Sequence, residues 1–316
     1  MLKFAALSEK INMYKAQRKT KEFVLGLFSA ILLIGLCYVI LSPVIGMIAL
    51  SFMNVEDLFN PMVFLVPMNP TFDNIRQAVQ HLRFLDTLWY TLRYSIGLGI
   101  LHVLTASIIG YGFARYKFYG SKILFAFALL TFIIPPQTYM VPLWFRFRFF
   151  FMEMNLIDSY IPIILLTITG IGLRSGLFIY IFRQFFMGVP KELSEAAAID
   201  GCGHFRTYLQ IMMPNAKPAI VTVMMFALVW NYGDTFYTGV LLNRPMFIHN
   251  SLGQVYQRWH VANSRGGSSI FTQYELMQAQ MVVFASIFLV VLPIIVIYAI
   301  MQRQFIEGIE RSGIVG

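Results

Sequence analysis

Six stretches of this chain are each long and apolar enough to cross a bilayer, whose hydrocarbon core takes about 20 residues of helix. They cover approximately residues 23–52, 88–114, 123–145, 160–182, 218–242 and 276–301. Backbone polar groups find no water in hydrocarbon, so each run must satisfy its own hydrogen bonds as a helix. The predicted fold class is therefore all-α: a polytopic membrane protein with six transmembrane helices. Composition agrees, because 58% of the residues are hydrophobic and only 12% are charged, against about 25% charged in soluble domains. The first run is too long for the apolar core of a cleaved signal peptide, so it reads as a permanent helix bent at Pro43.

Six spans place both termini on one side. Of the 24 Lys and Arg residues, fifteen fall in the even-side segments and eight on the odd side, counting Arg93 at a boundary, Arg244 and Arg265; Arg174 falls inside a span. The positive-inside rule makes both termini cytoplasmic. Residues 1–22 form a cytoplasmic N-terminal segment. Its Phe4, Leu7, Ile11 and Tyr14 share one helical stripe, which fits an interfacial helix, with a disordered tail as the alternative. Residues 23–302 make the transmembrane domain and 303–316 a cytoplasmic tail, with no internal repeat, linker or second domain. The outer loops, about 53–87 and 243–275, carry Pro61, Pro67, Pro70 and the run NSRGGSSIF, and offer a surface for an outside partner. Topology also accounts for the net charge of +9. No cluster of Lys/Arg with interleaved aromatics marks a nucleic-acid surface, so nucleic acid is excluded as a partner. The two cysteines, Cys37 and Cys202, predict no disulfide framework.

The cytoplasmic loop between the fourth and fifth runs, about 190–214, is polar and helix-forming. Pro190 suits a first helical turn, Glu192 and Glu195 suit the positive end of the helix dipole, and Gly201 ends the helix. A second helix, about 203–212, runs until Pro214 and presents Phe205, Tyr208, Leu209 and Met212 on one apolar face. Such a pair is either a docking knob for a partner or a loop that caps its own bundle.

Catalytic machinery is absent from the pattern. No G-x-x-x-x-G-K-[ST] phosphate loop occurs, and the five histidines and two cysteines show no metal-ligand spacing. His102, in the second run, is either a proton relay or a packed hydrogen-bonding residue. Glu195 and Asp200 read as cap and partner contacts. The chain is not an enzyme and carries no metal or cofactor of its own. Charge in hydrocarbon costs at least about 2.5 kcal/mol and marks interior pathways, which singles out Arg174 and Asp234. Asp234 lies among Trp230, Asn231, Tyr232 and Tyr237, the mixture of ring faces and polar groups that sugar recognition needs. These six residues are the candidate substrate pathway. Mutual neutralisation of Arg174 and Asp234 is the competing account. Pro135, Pro136 and Pro142 must interrupt the third run and make it a candidate gate.

The 190–214 loop resembles the EAA loop of bacterial ABC import permeases, through Glu195-Ala196-Ala197, Gly201, Ile211 and Pro214. The flanks GYGFARYKFYGSK (110–122), FIYIFRQFFMGVPKEL (178–193), PNAKPAI (214–220), WNYGD (230–234) and FIEGIERSGIVG (305–316) are similar to the carbohydrate-importer permeases related to the maltose transporter's second permease subunit. Tyr94-Ser95 departs from that family's usual Asn-Ser.

The resemblance implies a multi-pass subunit of a bacterial cytoplasmic membrane, paired with a second homologous permease and served by an extracytoplasmic solute-binding protein. Two partner ATPase subunits bind ATP and Mg, and they are met through Glu195, Ala196, Ala197, Asp200, Gly201, Phe205, Arg206, Ile211 and Pro214. The implied cargo is an oligosaccharide, a carboxylated one being a possibility that Arg174 raises. The alternatives are an ABC permease for a non-sugar solute and an ion-coupled secondary carrier.

Overall fold

A computed structural model describes residues 2–243, 246–264 and 272–313, with side chains over 18–243, 246–264 and 272–303. The stripe Phe4, Leu7, Ile11 and Tyr14, Arg244, Arg265, most of NSRGGSSIF and the side chains of the 303–316 tail beyond Arg303 lie outside that description. Helices make up the framework: α1 (Leu2–Phe52), α2 (Val55–Leu58), α3 (Asp73–Leu82), α4 (Phe84–Arg115), α5 (Ser121–Ile133), α6 (Met140–Arg148), α7 (Ile161–Ile168), α8 (Ser175–Gly188), α9 (Glu192–Ile199), α10 (His204–Thr207), α11 (Met213–Asn215), α12 (Lys217–Tyr232), α13 (Tyr237–Leu241), α14 (Ile248–Asn263) and α15 (Gln273–Gly313). Among the described residues the sole β pairing is an isolated bridge between Phe150 and Met154.

Three of the six apolar runs lie in helices long enough to span: Arg18–Phe52, Phe84–Arg115 and Gln273–Arg303. α1 continues through Pro43, and residues 2–22 are helical and continuous with the span that follows. The third run is bent by 99° between α5 and the 136–148 segment. Ile134 and Pro135 are extended there (ψ 121° and 130°), because each precedes a proline whose ring disfavours helix at the preceding residue. Pro142 does not interrupt its helix as expected. It is the third residue of α6, where its missing N–H lacks an intrahelical acceptor in any case. The fourth run is not one helix. It breaks between α7 and α8, where Gly170 (φ +74°) and Arg174 (φ +60°) take left-handed backbone. In the fifth run α12 ends at Tyr232, so Asp234 lies beyond it.

The chain divides into two compact units. In the first, residues 1–75 with 271–288, Asn74 donates to the carbonyls of Met53 (2.8 Å) and Ser51 (3.4 Å), tying the start of α3 to the end of α1. A small core of Ala49, Met53, Val55 and Met281 gathers there, while residues 18–43 of α1 stay exposed along their whole length.

The second unit, 76–270 with 289–316, is organised around α4. A Cβ placed on Gly110 would lie 2.7 Å from Phe182 Cβ and 2.9 Å from the Arg183 nitrogen, so α4 and α8 meet backbone to backbone at this residue. Gly176 similarly lets α8 approach Ala128 and Phe132 of α5. Phe178, Phe182, Tyr208, Met212, Val223 and Ala227 fill the core around that contact. The segment around 243–275 is largely helical where described. α14 buries Ile248, Ser251, Val255 and Trp259; the Ile248 N–H donates to Thr91 Oγ1 (2.9 Å), and Trp259 Nε1 donates to Gln77 Oε1 (2.9 Å).

Gly110→Val should destabilise the protein by about 1–3 kcal/mol through overpacking, seen as a lower thermal unfolding midpoint of the purified protein. Gly112→Ala, whose Cβ meets nothing within 4 Å, should leave that midpoint within error of wild type.

Candidate functional site

Two constellations stand out, both within the second unit. The first is the 190–216 loop. α9 ends in paired hydrogen bonds: the Gly201 N–H donates to the Ala198 carbonyl (3.1 Å) and the Cys202 N–H to the Ala197 carbonyl (2.9 Å). With Gly201 at φ +76°, this is the Schellman arrangement that closes a helix with a left-handed residue. A Cβ at Gly201 would touch nothing within 4 Å, so the demand for glycine here is conformational, not steric. α10 then leads into a π-helical turn, Tyr208–Met212, two residues before Pro214, which has no N–H to offer the preceding turn. A 78° bend separates His204–Asn215 from α12.

The expected apolar face divides in two. Tyr208 and Met212 are buried in the core, while Phe205 and Leu209 are 70% and 48% exposed. Sequence reasoning missed Ile199, the most exposed apolar side chain of the loop at 86%, and Leu193 at 42%; the LSEAAAI pattern places both on a short helix with too little burial for their size. Of the expected contacts, Glu195, Ala196, Asp200, Gly201, Arg206 and Pro214 are exposed, Ile211 is half-buried and Ala197 is buried. Two anchors hold the loop to α4. Tyr208 and Ser107 share a hydroxyl–hydroxyl bond of 2.8 Å, and Arg115 donates to the Val189 carbonyl at 2.8 Å.

The second constellation lies where two helix breaks meet. The Arg174 guanidinium sits 5.3 Å from the Phe132 ring centre and 5.5 Å from that of Trp230, and Trp230 stacks on Phe226 at 5.1 Å. Asp234 is engaged elsewhere. Its carboxylate accepts from the N–H groups of Phe236 (2.9 Å), Tyr237 (3.0 Å) and Thr238 (3.3 Å), and the Thr238 hydroxyl donates to its carbonyl. It thus caps α13, and the Arg174–Asp234 ion pair weighed above is not among the ion pairs of the described residues.

The other candidates are satisfied internally: Asn231 donates to the Ala227 carbonyl, Tyr232 to the Val290 carbonyl, and the Tyr237 and Tyr139 hydroxyls bond one another at 2.8 Å. Arg174 and Trp230 come together with Phe132, which no local pattern flagged because its helix ends one residue later. His102 is packed against Phe178, and its Nδ1 lies 3.3 Å from Ser175 Oγ.

A polar basin of about 750 Å³ opens between the start of α4 and the 239–258 region, lined by Arg83, Asn243, His249, Asn250, Gln254 and Arg258. Burial, then the Arg258 guanidinium, lowers the nearby His81 imidazole below its usual range. His81 is therefore neutral at pH 7, and the basin's positive charge comes from the two arginines. Sequence reasoning did not assemble this basin, since its two halves are about 160 residues apart. No group of three or more metal-ligating side chains occurs among the described residues.

A helical membrane protein whose helices break around an aromatic–arginine cluster has the construction of a transport subunit. Residues 102–311 match the binding-protein-dependent transport system inner membrane component family, and the chain belongs to it. Among its relatives, the arabinooligosaccharides transport system permease protein AraQ of Bacillus subtilis (strain 168) is 28% identical, over 72% of this chain and 73% of that protein. The galactooligosaccharides transport system permease protein GanQ of the same organism is 25% identical over 95% and 99%. The fold is similar to that of a chain in the crystal structure of a bacterial ABC transporter involved in the import of the acidic polysaccharide alginate. That match has a TM-score of 0.66 and 21% identity, and covers 89% of this chain and 96% of that one.

Proposed function

We propose that this inner-membrane component is the permease subunit of an ATP-driven importer of an oligosaccharide. It forms half of the pathway beside a second, homologous permease, and a solute-binding protein delivers the sugar. All six apolar runs cross the membrane in this proposal, the fourth as a broken span, with both termini cytoplasmic. The 190–214 loop is then the EAA loop. Supporting the cargo is the series of relatives named for oligosaccharides. Supporting the coupling is the loop itself: Ile199, Phe205 and Leu209 are exposed, while the Tyr208–Ser107 and Arg115–Val189 hydrogen bonds tie it to α4. A surface held by a partner at one end and by the longest helix of its unit at the other transmits rigid-body motion. ATP and Mg reside in the two partner ATPases.

Gly201→Val in the reconstituted complex should lower sugar uptake about tenfold or more with the chain still inserted, because a left-handed β-branched residue costs roughly 1–2 kcal/mol or more. Gly201→Asn, whose side chain tolerates that conformation, should retain most uptake; wild-type uptake in Gly201→Val would refute the coupling role.

The orientation is tested by membrane-impermeant thiol labelling in a background lacking Cys37 and Cys202. Leu85→Cys should react from outside intact cells, and Tyr119→Cys only in inverted vesicles. Both residues are highly exposed at opposite ends of α4 or just beyond.

Arg174 raises a carboxylated sugar as the cargo: its guanidinium keeps its charge and lies over two rings with no carboxylate partner among the described residues. In sugar-stimulated ATP hydrolysis, Arg174→Gln should reduce the response to an acidic oligosaccharide about fivefold or more while sparing a neutral one of equal length. Equal loss with both would make Arg174 a structural residue.

A further inference from the structure

On α4, Tyr90, Arg93, Gly97, Leu101 and Leu104 recur at intervals of three and four residues, and with Tyr160 and Ile164 they line an open groove of about 410 Å³. The groove is polar at one end only. There the Tyr90 and Tyr160 hydroxyls bond one another, and the Arg93 guanidinium lies 5.8 Å from the Tyr90 ring centre. Beyond Arg93 and Tyr94 the lining is glycine, leucine and isoleucine. Trp89, 68% exposed, sits beside Tyr90 and marks the depth at which aromatic side chains collect between hydrocarbon and water.

Length and charge identify the occupant. From Arg93 to Leu104 the helix rises about 16 Å, close to the roughly 15 Å of hydrocarbon in one leaflet. Arg93 keeps its charge at any accessible pH, is exposed and forms no ion pair among the described residues, so an occupant that brings an anion to this polar end gains a charge-assisted hydrogen bond that an uncharged one lacks. An apolar helix from a neighbouring subunit brings none.

We propose that the groove binds one phospholipid with an anionic head group. The phosphate accepts hydrogen bonds from Arg93 and from whichever tyrosine hydroxyl is not donating to the other, and one acyl chain lies along Gly97, Leu101 and Leu104. Gly97 leaves the chain its room, since a Cβ there meets nothing within 4 Å. The site requires only that α4 cross the bilayer. Its assignment to the outer leaflet rests on the orientation proposed above, which thiol labelling tests separately.

The test uses the complete importer reconstituted in vesicles containing phosphatidylglycerol or phosphatidylcholine with a photoactivatable acyl chain, followed by mapping of the adducts by mass spectrometry. Phosphatidylglycerol should label the 97–104 and 160–164 peptides about fivefold more than phosphatidylcholine. Arg93→Gln should abolish that preference, and Gly97→Phe, which fills the groove, should reduce labelling by both lipids. Equal labelling by the two lipids in wild type, or none on these peptides, overturns the proposal. So does a Gly97→Phe complex that loses the second permease while its lipid labelling is unchanged, which would make the groove a helix interface.

Discussion

The contact at Gly110 is the constraint on which the second unit depends. α4 and α8 approach so closely there that a single methyl group would collide with both a side chain and the backbone. In a membrane, helix association gains little from the hydrophobic effect and relies on close packing at small residues. That approach seats Phe178, Phe182 and Phe186 of α8 among Val103, Ala106 and Tyr111 of α4, and α12 closes the same core with Val223 and Ala227. The 190–216 loop is carried on this core, because Tyr208 and Met212 belong both to the loop and to the cluster.

This double membership gives the loop its mechanical character. A surface loop with no buried residues would absorb a push by changing shape. Here Tyr208 reaches Ser107 and Arg115 reaches Val189, so the loop is tied to α4 at two points, while Ile199 and Phe205 are exposed. The Schellman turn at Gly201 sets the angle between α9, which carries Ile199, and the part anchored through Tyr208.

The charges of Arg174, Asp234 and Arg93, which fall in or beside the apolar runs, make no ion pair among the described residues. Asp234 is satisfied by three backbone N–H groups at the start of α13, the strong form of carboxylate solvation when water is distant. Arg174 is covered by aromatic rings at the break between α7 and α8, and Arg93 lies over Tyr90. Contacts of this kind contribute about 0.5–1 kcal/mol at exposed sites. They orient a guanidinium while leaving its N–H groups able to meet an anion.

Much of this was legible in the linear chain. The six apolar runs, the break at Pro135-Pro136 and the glycine turn at Gly201 depend on hydrocarbon length, the proline ring and the left-handed backbone, all of which are local properties. The helix over 248–263 carries a readable helical period in Ile248, Ser251, Val255 and Trp259, but its setting after Pro245 and among many polar residues hid it. Only the tertiary structure decided that Arg174 and Asp234 find different partners, that Tyr208 turns inward while Phe205 turns outward, and that the fourth run breaks around Arg174. Each of these outcomes is set by what neighbouring helices place within a few ångströms, and periodicity along one helix carries no information about the depth or rotation of the next.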